Sequence, residues 1–301
     1  MKKIFYIVVI FLFSFNFIMG LQISAPKGPP SVPLIKMIQD NPNYKLNLYT
    51  DILTEVIPKF IKEEDNIFIM PTNVAAKFYN KGLNVKILNI TSSGILYILS
   101  SNSKINNLND IKNKEIYVPA PGSSPDILTR YIFNKKNIDI KIKYGSSPEI
   151  TKLFISGRID LCVLPEPFAT KAINKNKKGK RILNFKTEWK NITGSSNIPQ
   201  VGLVTKKIYA QNNRKEIIKM LKDYKNAVKW VNKNPQKAAI LAEKKLGINS
   251  EIIKKSIPKM NLISVEKNSA YKVLKNYFSI LNTVNKKLIG GKIPDEKIIF
   301  K

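Results

Sequence analysis

The chain has 301 residues, 44% of them hydrophobic, with a formal net charge of +30, one cysteine and no histidine. That length sustains two ordinary domains with cores of their own, and the composition is not that of a disordered chain. The missing histidine excludes Ser-His and Cys-His nucleophile pairs, imidazole acid–base catalysis and most transition-metal sites, and a lone cysteine excludes an intrachain disulfide.

The charge invites a nucleic-acid reading, because lysine and arginine neutralise phosphates. Only Arg130, Arg158, Arg181 and Arg214 among the 51 basic residues are arginine, the side chain that bidentate phosphate and base recognition favours. The lysines are spread along the chain on what would be polar helix faces, and the abundance of Lys, Asn and Ile is what AT-rich codon usage produces. No nucleic-acid partner is expected. A positive field that draws in small anions, or holds the protein near an anionic membrane surface, stays open.

Residues 1–20, "MKKIFYIVVIFLFSFNFIMG", combine a two-lysine start, a long apolar middle and a small residue, Gly20, which is the pattern of a secretory signal peptide. The expected location is therefore periplasmic, after secretion across the inner membrane. No cysteine directly follows this segment to carry a lipid, while an uncleaved N-terminal anchor is left open by the apolar run from Ile4 to Met19. "LQISAPKGPPSVPLIKMI" then reads as a strand, a Pro/Gly loop and a helix. "YKLNLY" (strand), "DILTEVIPKFIKEE" (helix), "NIFIMP" (strand), "TNVAAKFYNKG" (helix) and "VKILNI" (strand) continue the alternation, which predicts a mainly parallel sheet with helices on its faces.

From about Lys114 the order begins again. "EIYVPA", "IKIKYG" and "IDLCVLP" read as strands, each followed by a helix: "PGSSPDILTRYIFNKK", "SSPEITKLFISGR" and "EPFATKAINKN". Pro71 and Pro165 end equivalent apolar runs 94 positions apart, and the same offset matches Phe60 with Phe154, Ala75 with Ala169 and Lys77 with Lys171. Two α/β lobes of similar build are predicted, each placing one strand-to-helix turn at the same point. Beyond about Val204, apolar residues recur at three- and four-residue steps nearly to the end. This predicts a helical segment that packs back on the first lobe. Cys162, inside "IDLCVL", reads as a buried apolar thiol.

In an open parallel sheet, ligands sit outside the carboxyl ends of the strands, where helix N-termini point free N–H groups. "APKGPPS", "PTN", "APGSSPD" and "LPEPF" have that position, and "TSSGILY" adds hydroxyls, a glycine and Tyr97. Ser124 and Ser147, each before a proline, also read as N-caps. Tyr97 and Trp189 are either stacking platforms or core. Glu166 and Asp126 cut both ways. A Glu166 turned into the cleft favours a ligand with N–H donors, and one turned away leaves donors that favour an anion.

The succession "APKGPP", "PTNVAAKFYNKG", "NITSSGILYIL", "GSSPDILTRYIF", "ISGRIDLCVLPEPFAT", "VNKNPQKAA" and "IGGKIP" resembles solute-binding proteins of ABC importers over nearly the whole chain after residue 20. The likeness is to the NMT1/THI5-like group, which includes binders of sulfonate, taurine, nitrate and pyrimidine precursors. The resemblance implies a periplasmic-binding-protein type II fold of class α/β, with two lobes around a cleft and the helical C-terminal segment on lobe 1. Lobe 1 would comprise 21–97 and 204–301, lobe 2 would comprise 98–203, and "NIPQVGLVT" would be the return crossing. It implies a monomer that closes over a small-molecule solute and delivers it to a membrane ABC permease, with no cofactor, metal or catalytic residue. Carried over by position, the pocket would draw on Lys27, Gly28, Ser31, Thr72, Asn73, Ser92, Ser93, Ser123, Ser124, Glu166 and Gln200. An enzymatic branch of this group uses an active-site histidine, which this chain lacks. The alternative is a carboxylate-dependent enzyme on the same scaffold, using Glu166, Asp126 or Glu149.

Overall fold

The protein is described here by a computed structural model that covers residues 20–301, with only the backbone of Ile52 and Leu53. The segment read as a signal peptide lies outside the described residues except for Gly20. The first half runs β1 (Leu21–Pro26), α1 (Ser31–Asp40), β2 (Tyr44–Tyr49), a π-helical turn, α2 (Ile57–Lys62), β3 (Ile67–Pro71), α3 (Thr72–Asn80) and β4 (Val85–Ser92). A second run follows, with β5 (Leu96–Ser100), β6 (Glu115–Pro119), α4 (Ser124–Lys135), β7 (Lys141–Gly145), α5 (Ser147–Ile155), β8 (Leu161–Pro165), α6 (Phe168–Lys175), β9 (Lys180–Asn184) and α7 (Phe185–Thr193). The rest comprises β10 (Val201–Lys206), α8 (Lys207–Asn212), α9 (Arg214–Lys233), α10 (Pro235–Leu246), α11 (Ser250–Ser256), β11 (Leu262–Glu266) and α12 (Lys267–Asn285).

These strands form two sheets, ordered β11-β4-β10-β3-β1-β2 and β7-β6-β8-β5-β9. Read from the matching ends, β4-β10-β3-β1-β2 corresponds to β9-β5-β8-β6-β7, so the repeat of 94 positions is a repeat of topology. Each sheet joins a parallel trio (β3-β1-β2 and β8-β6-β7) to an antiparallel neighbour (β10 and β5). The sheets are therefore mixed rather than mainly parallel. β10 joins the first sheet and β5 the second, so the chain passes between lobes at 93–95 and again at 194–200. Boundaries at 97/98 and 203/204 would cut through both of these strands.

The apolar runs that end at Pro71 and Pro165 are uninterrupted because both faces of each strand are covered. In β3, Ile67 and Ile69 face a core shared with α1, α9 and α10, while Phe68 and Met70 face another shared with α3 and α12. The second of these cores continues into lobe 2 through Ile98, Val118, Val163 and Trp189, and a third, smaller one lies under α5 and α6. Trp189 is fully buried, with its ring edge-on to Tyr277 of α12 at 5.8 Å and tilted to Tyr131 of α4 at 5.5 Å. It is core rather than a ligand platform. Cys162 is also fully buried, and desolvation pushes its thiol far above the usual range.

The C-terminal segment packs on the first sheet. In α9, Ile217, Met220, Leu221, Tyr224, Ala227, Val228 and Val231 form one buried stripe at helical spacing. The segment is not helical throughout, because β11 adds an edge strand antiparallel to β4. Between β4 and β3, β10 carries Gly202, where a Cβ would stand 2.5 Å from the Asn89 carbonyl oxygen. Any side chain there would push β10 off β4. Among the described residues, no helix is long and apolar enough to cross a membrane.

Candidate ligand-binding cleft

The parallel trios of both lobes aim their carboxyl ends at one hollow of about 630 Å³. Lobe 1 lines it with Pro26 and Lys27 after β1, Tyr49 to Asp51 after β2, and the turn from Leu246 to Ile248 after α10. Lobe 2 contributes Pro119 and Ala120 after β6, Ser146 to Pro148 at the start of α5, and Pro167, Phe168 and Lys171 at the start of α6. The hollow thus has the position that open α/β sheets give to ligands, with two helix N-termini of the second lobe on its wall.

The polar equipment of that wall is specific. Ser146 is the N-cap of α5, accepting from the Glu149 N–H at 3.3 Å while its own N–H donates to the Glu149 carboxylate at 3.2 Å. This reciprocal cap comes from the sequence Ser146-x-x-Glu149 and moves the cap one residue before the expected Ser147, which is the first residue of the helix. The same shift holds at α4, where Ser123 rather than Ser124 occupies the cap position. Lys27 and Lys171 reach the hollow from opposite lobes, and neither forms an ion pair among the described residues. Asp51 stands on the lobe 1 side. Tyr49 is buried, its hydroxyl donating to the Ile69 carbonyl, and desolvation raises its pKa well beyond the ordinary phenol value.

Of the residues singled out from the sequence, Lys27 lines this hollow. Gly28 sits beside it, buried, with no atom within 4 Å of where a Cβ would stand. Ser31 turns its hydroxyl to the Pro26 carbonyl at 2.5 Å, and Ser123 turns to the Pro119 carbonyl at 3.2 Å. Asn73 is half-buried in the first turn of α3. The Ser92 hydroxyl is fully buried and has no hydrogen-bond partner among the described residues.

Four others are drawn together at the crossings rather than on the cleft wall. Thr72 donates its hydroxyl to the Pro199 carbonyl at 2.5 Å and its N–H to the Gln200 carbonyl at 3.0 Å. Ser93 accepts from the Ile198 N–H at 3.0 Å and donates to Asn197 at 3.2 Å. The Gln200 side chain accepts from the Ile95 N–H at 3.4 Å and donates to Ser124 at 2.9 Å. Gln200 thereby ties both crossings to the first turn of α4. Gly94, at φ +73°, lets the first crossing run against α7, where the Lys186 Cβ would be 2.8 Å from any added Cβ.

Glu166 is 1% exposed and turned away from the hollow. Its carboxylate pairs with Arg181 at 2.6 Å and accepts from the Thr170 N–H at 3.1 Å, and Arg181 lies over the Tyr97 ring at 5.0 Å. Burial, followed by the Glu166 charge, pushes the Tyr97 hydroxyl up to about 12, and that hydroxyl donates to the Lys259 carbonyl of lobe 1 at 3.0 Å. Asp126 is held by the Gly122 N–H at 2.9 Å, Arg130 at 2.8 Å and Tyr144 at 2.8 Å. Each carboxylate considered for acid–base work is thus engaged within its own lobe. Among the described residues there is no group of three or more His, Cys, Asp or Glu able to hold a metal ion.

Three solved structures share this architecture. An ABC transporter protein from Parabacteroides distasonis superposes with a TM-score of 0.82 at 22% identity, over 94% of this chain and 99% of that one. The periplasmic aliphatic sulphonate binding protein SsuA from Escherichia coli gives 0.75 at 14% identity, over 93% and 91%. The periplasmic nitrate-binding protein NrtA from Synechocystis PCC 6803 gives 0.68 at 13% identity, over 93% and 87%. These likenesses place the fold among periplasmic binding proteins. Comparison with curated proteins finds no match. The model of the NMT1-like family matches residues 72–245, more than half of the chain and both crossings, and the chain belongs to that family.

Proposed function

We propose that the chain is the extracytoplasmic substrate-binding component of an ABC importer, a monomer that closes two lobes over a small organic anion and hands it to a membrane permease. The observation that carries the reading is the hollow between the lobes, walled by Lys27 from one side and by Lys171, Ser146 and Ser147 from the other. Lobe 1 would comprise 20–92 and 201–301 and lobe 2 would comprise 96–193, with 93–95 and 194–200 as the hinge.

An anion is preferred to a cationic or donor-rich ligand because Glu166, the carboxylate that would have favoured the latter, faces Arg181 instead. The remaining wall offers two ammonium groups against the single Asp51 carboxylate, with hydroxyls and the N-terminal ends of α5 and α6, a balance that suits a sulfonate, a carboxylate or nitrate better than a pyrimidine. Closure would follow from each lobe holding part of the same ligand. A carboxylate-dependent enzyme has less support, because Glu166, Asp126 and Glu149 are all hydrogen-bonded within lobe 2.

Isothermal titration against sulfonates, taurine, nitrate and aminopyrimidines tests the reading. Saturable heat with at least one anion, lost on replacing both lysines, is the expected result. Binding confined to aminopyrimidines would refute the anion assignment.

A further inference from the structure

The end of lobe 1 opposite the cleft carries a second surface. β1, β3 and β4 begin there and β10 ends there, because β10 runs antiparallel to β3 and β4. Three hollows on this end adjoin one another, joined through Lys207 and Gln211 on one side and through Arg214 and Phe300 on the other. The resulting groove is strongly basic. The acids lining it are Glu63, Glu266 and Glu296, and two of these are paired, Glu63 with Lys206 at 3.5 Å and Glu296 with Lys301 at 3.0 Å. Lys86 donates to the Lys297 carbonyl, and burial together with the Lys207 and Lys301 charges keeps its ammonium below the ordinary lysine value. Cations outnumber anions along this groove.

Two aliphatic side chains stand exposed among these charges, Ile208 at 56% and Ile218 at 50%. Lysines interspersed with exposed aliphatics suit a bilayer with anionic headgroups. The cations gain from the negative surface potential, and the aliphatic tips enter the interface. Nucleic acid fits less well, since Arg214 is the groove's one arginine and Phe300 is buried rather than offered as a stacking platform. Gly20 lies at this same end, at the start of β1, and only β3 separates β1 from β10, a lateral distance of about 10 Å. Gly20, the first described residue, therefore stands beside the basic groove.

We propose that this end of lobe 1 is a docking surface for an anionic lipid bilayer. The test is flotation of the full chain on phosphatidylcholine vesicles with and without phosphatidylglycerol. Binding to pure phosphatidylcholine sets the baseline, and the gain from phosphatidylglycerol is the readout. Lys207→Glu, Lys222→Glu and Lys297→Glu together should reduce that gain about a hundredfold. The matched triple on lobe 2, Lys141→Glu, Lys152→Glu and Lys178→Glu, should reduce it only a few-fold, although all six side chains are exposed. A neutral double, Ile208→Ser with Ile218→Ser, should lose about tenfold without any change of charge. Equal losses in the two triples would reduce the effect to net charge and overturn the proposal. So would a groove triple and a neutral double that both keep their binding, or a groove triple that loses retention on DNA but not on vesicles.

Discussion

The crossings and the cleft are both built from the polar turns that the sequence offers, yet they use them in opposite ways. At the crossings, Thr72 bonds to the Pro199 carbonyl, Ser93 to the Ile198 N–H, and Gln200 to the Ile95 N–H and Ser124, and the nearby Glu166 is closed off by Arg181. On the cleft wall, Lys27 and Lys171 form no ion pair among the described residues. Buried polar groups must find partners inside the fold, whereas those at an opening can wait for a ligand. Loss of the first kind should therefore appear as lost stability, and loss of the second kind as lost affinity.

The comparison breaks most readily at Arg181. Arg181→Ala leaves the Glu166 carboxylate buried without its partner and should cost about 3–5 kcal/mol in urea unfolding. If the variant unfolds like the parent protein, the pair is not structural. Replacing Lys27 and Lys171 with glutamate should do the reverse. Affinity for the anion that binds the parent should fall at least tenfold per lysine, with stability within about 0.5 kcal/mol by the same measurement. Gln200→Ala should remove about 1 kcal/mol and broaden the range of lobe separations seen by small-angle scattering, because it frees Ser124 from the second crossing. Ser146→Ala sharpens the comparison, since that residue both caps α5 and lines the cleft. A loss of about 1 kcal/mol together with weakened binding is expected.

The smallest effect concerns pH. Tyr97 is raised from 10.0 to about 12, and so are Tyr44 and Tyr79, each chiefly by burial. The unfolded chain gives up these protons first. The stability they contribute is therefore complete below about pH 10 and declines as pH rises from 10 toward 12. Thermal melts across that range, followed alongside tyrosinate absorbance, check the sign.

Much of the architecture was legible in the sequence because β3 and β8 are covered on both faces and so read as unbroken apolar runs before a proline. β5, β9 and β11 were not. "KRILN" and "LISVE" are short and partly polar, and they become strands only through pairing with β5 and β4. The cleft was legible as a location but only in part as a residue set. Lys27 stands on its wall. The turns containing Thr72, Ser93 and Gln200 do converge, but on each other, and that depends on contacts across about a hundred residues of chain. The Ser146-x-x-Glu149 pattern was the available signal for the true start of α5.

The placement of β10 between β3 and β4 also orders events in time. The sheet of lobe 2 is drawn from one contiguous stretch, whereas β4 has no neighbour in its own sheet until residues 201–206 arrive. A chain interrupted just before Val201 would thus carry one sheet with all its strands and one with a missing plank.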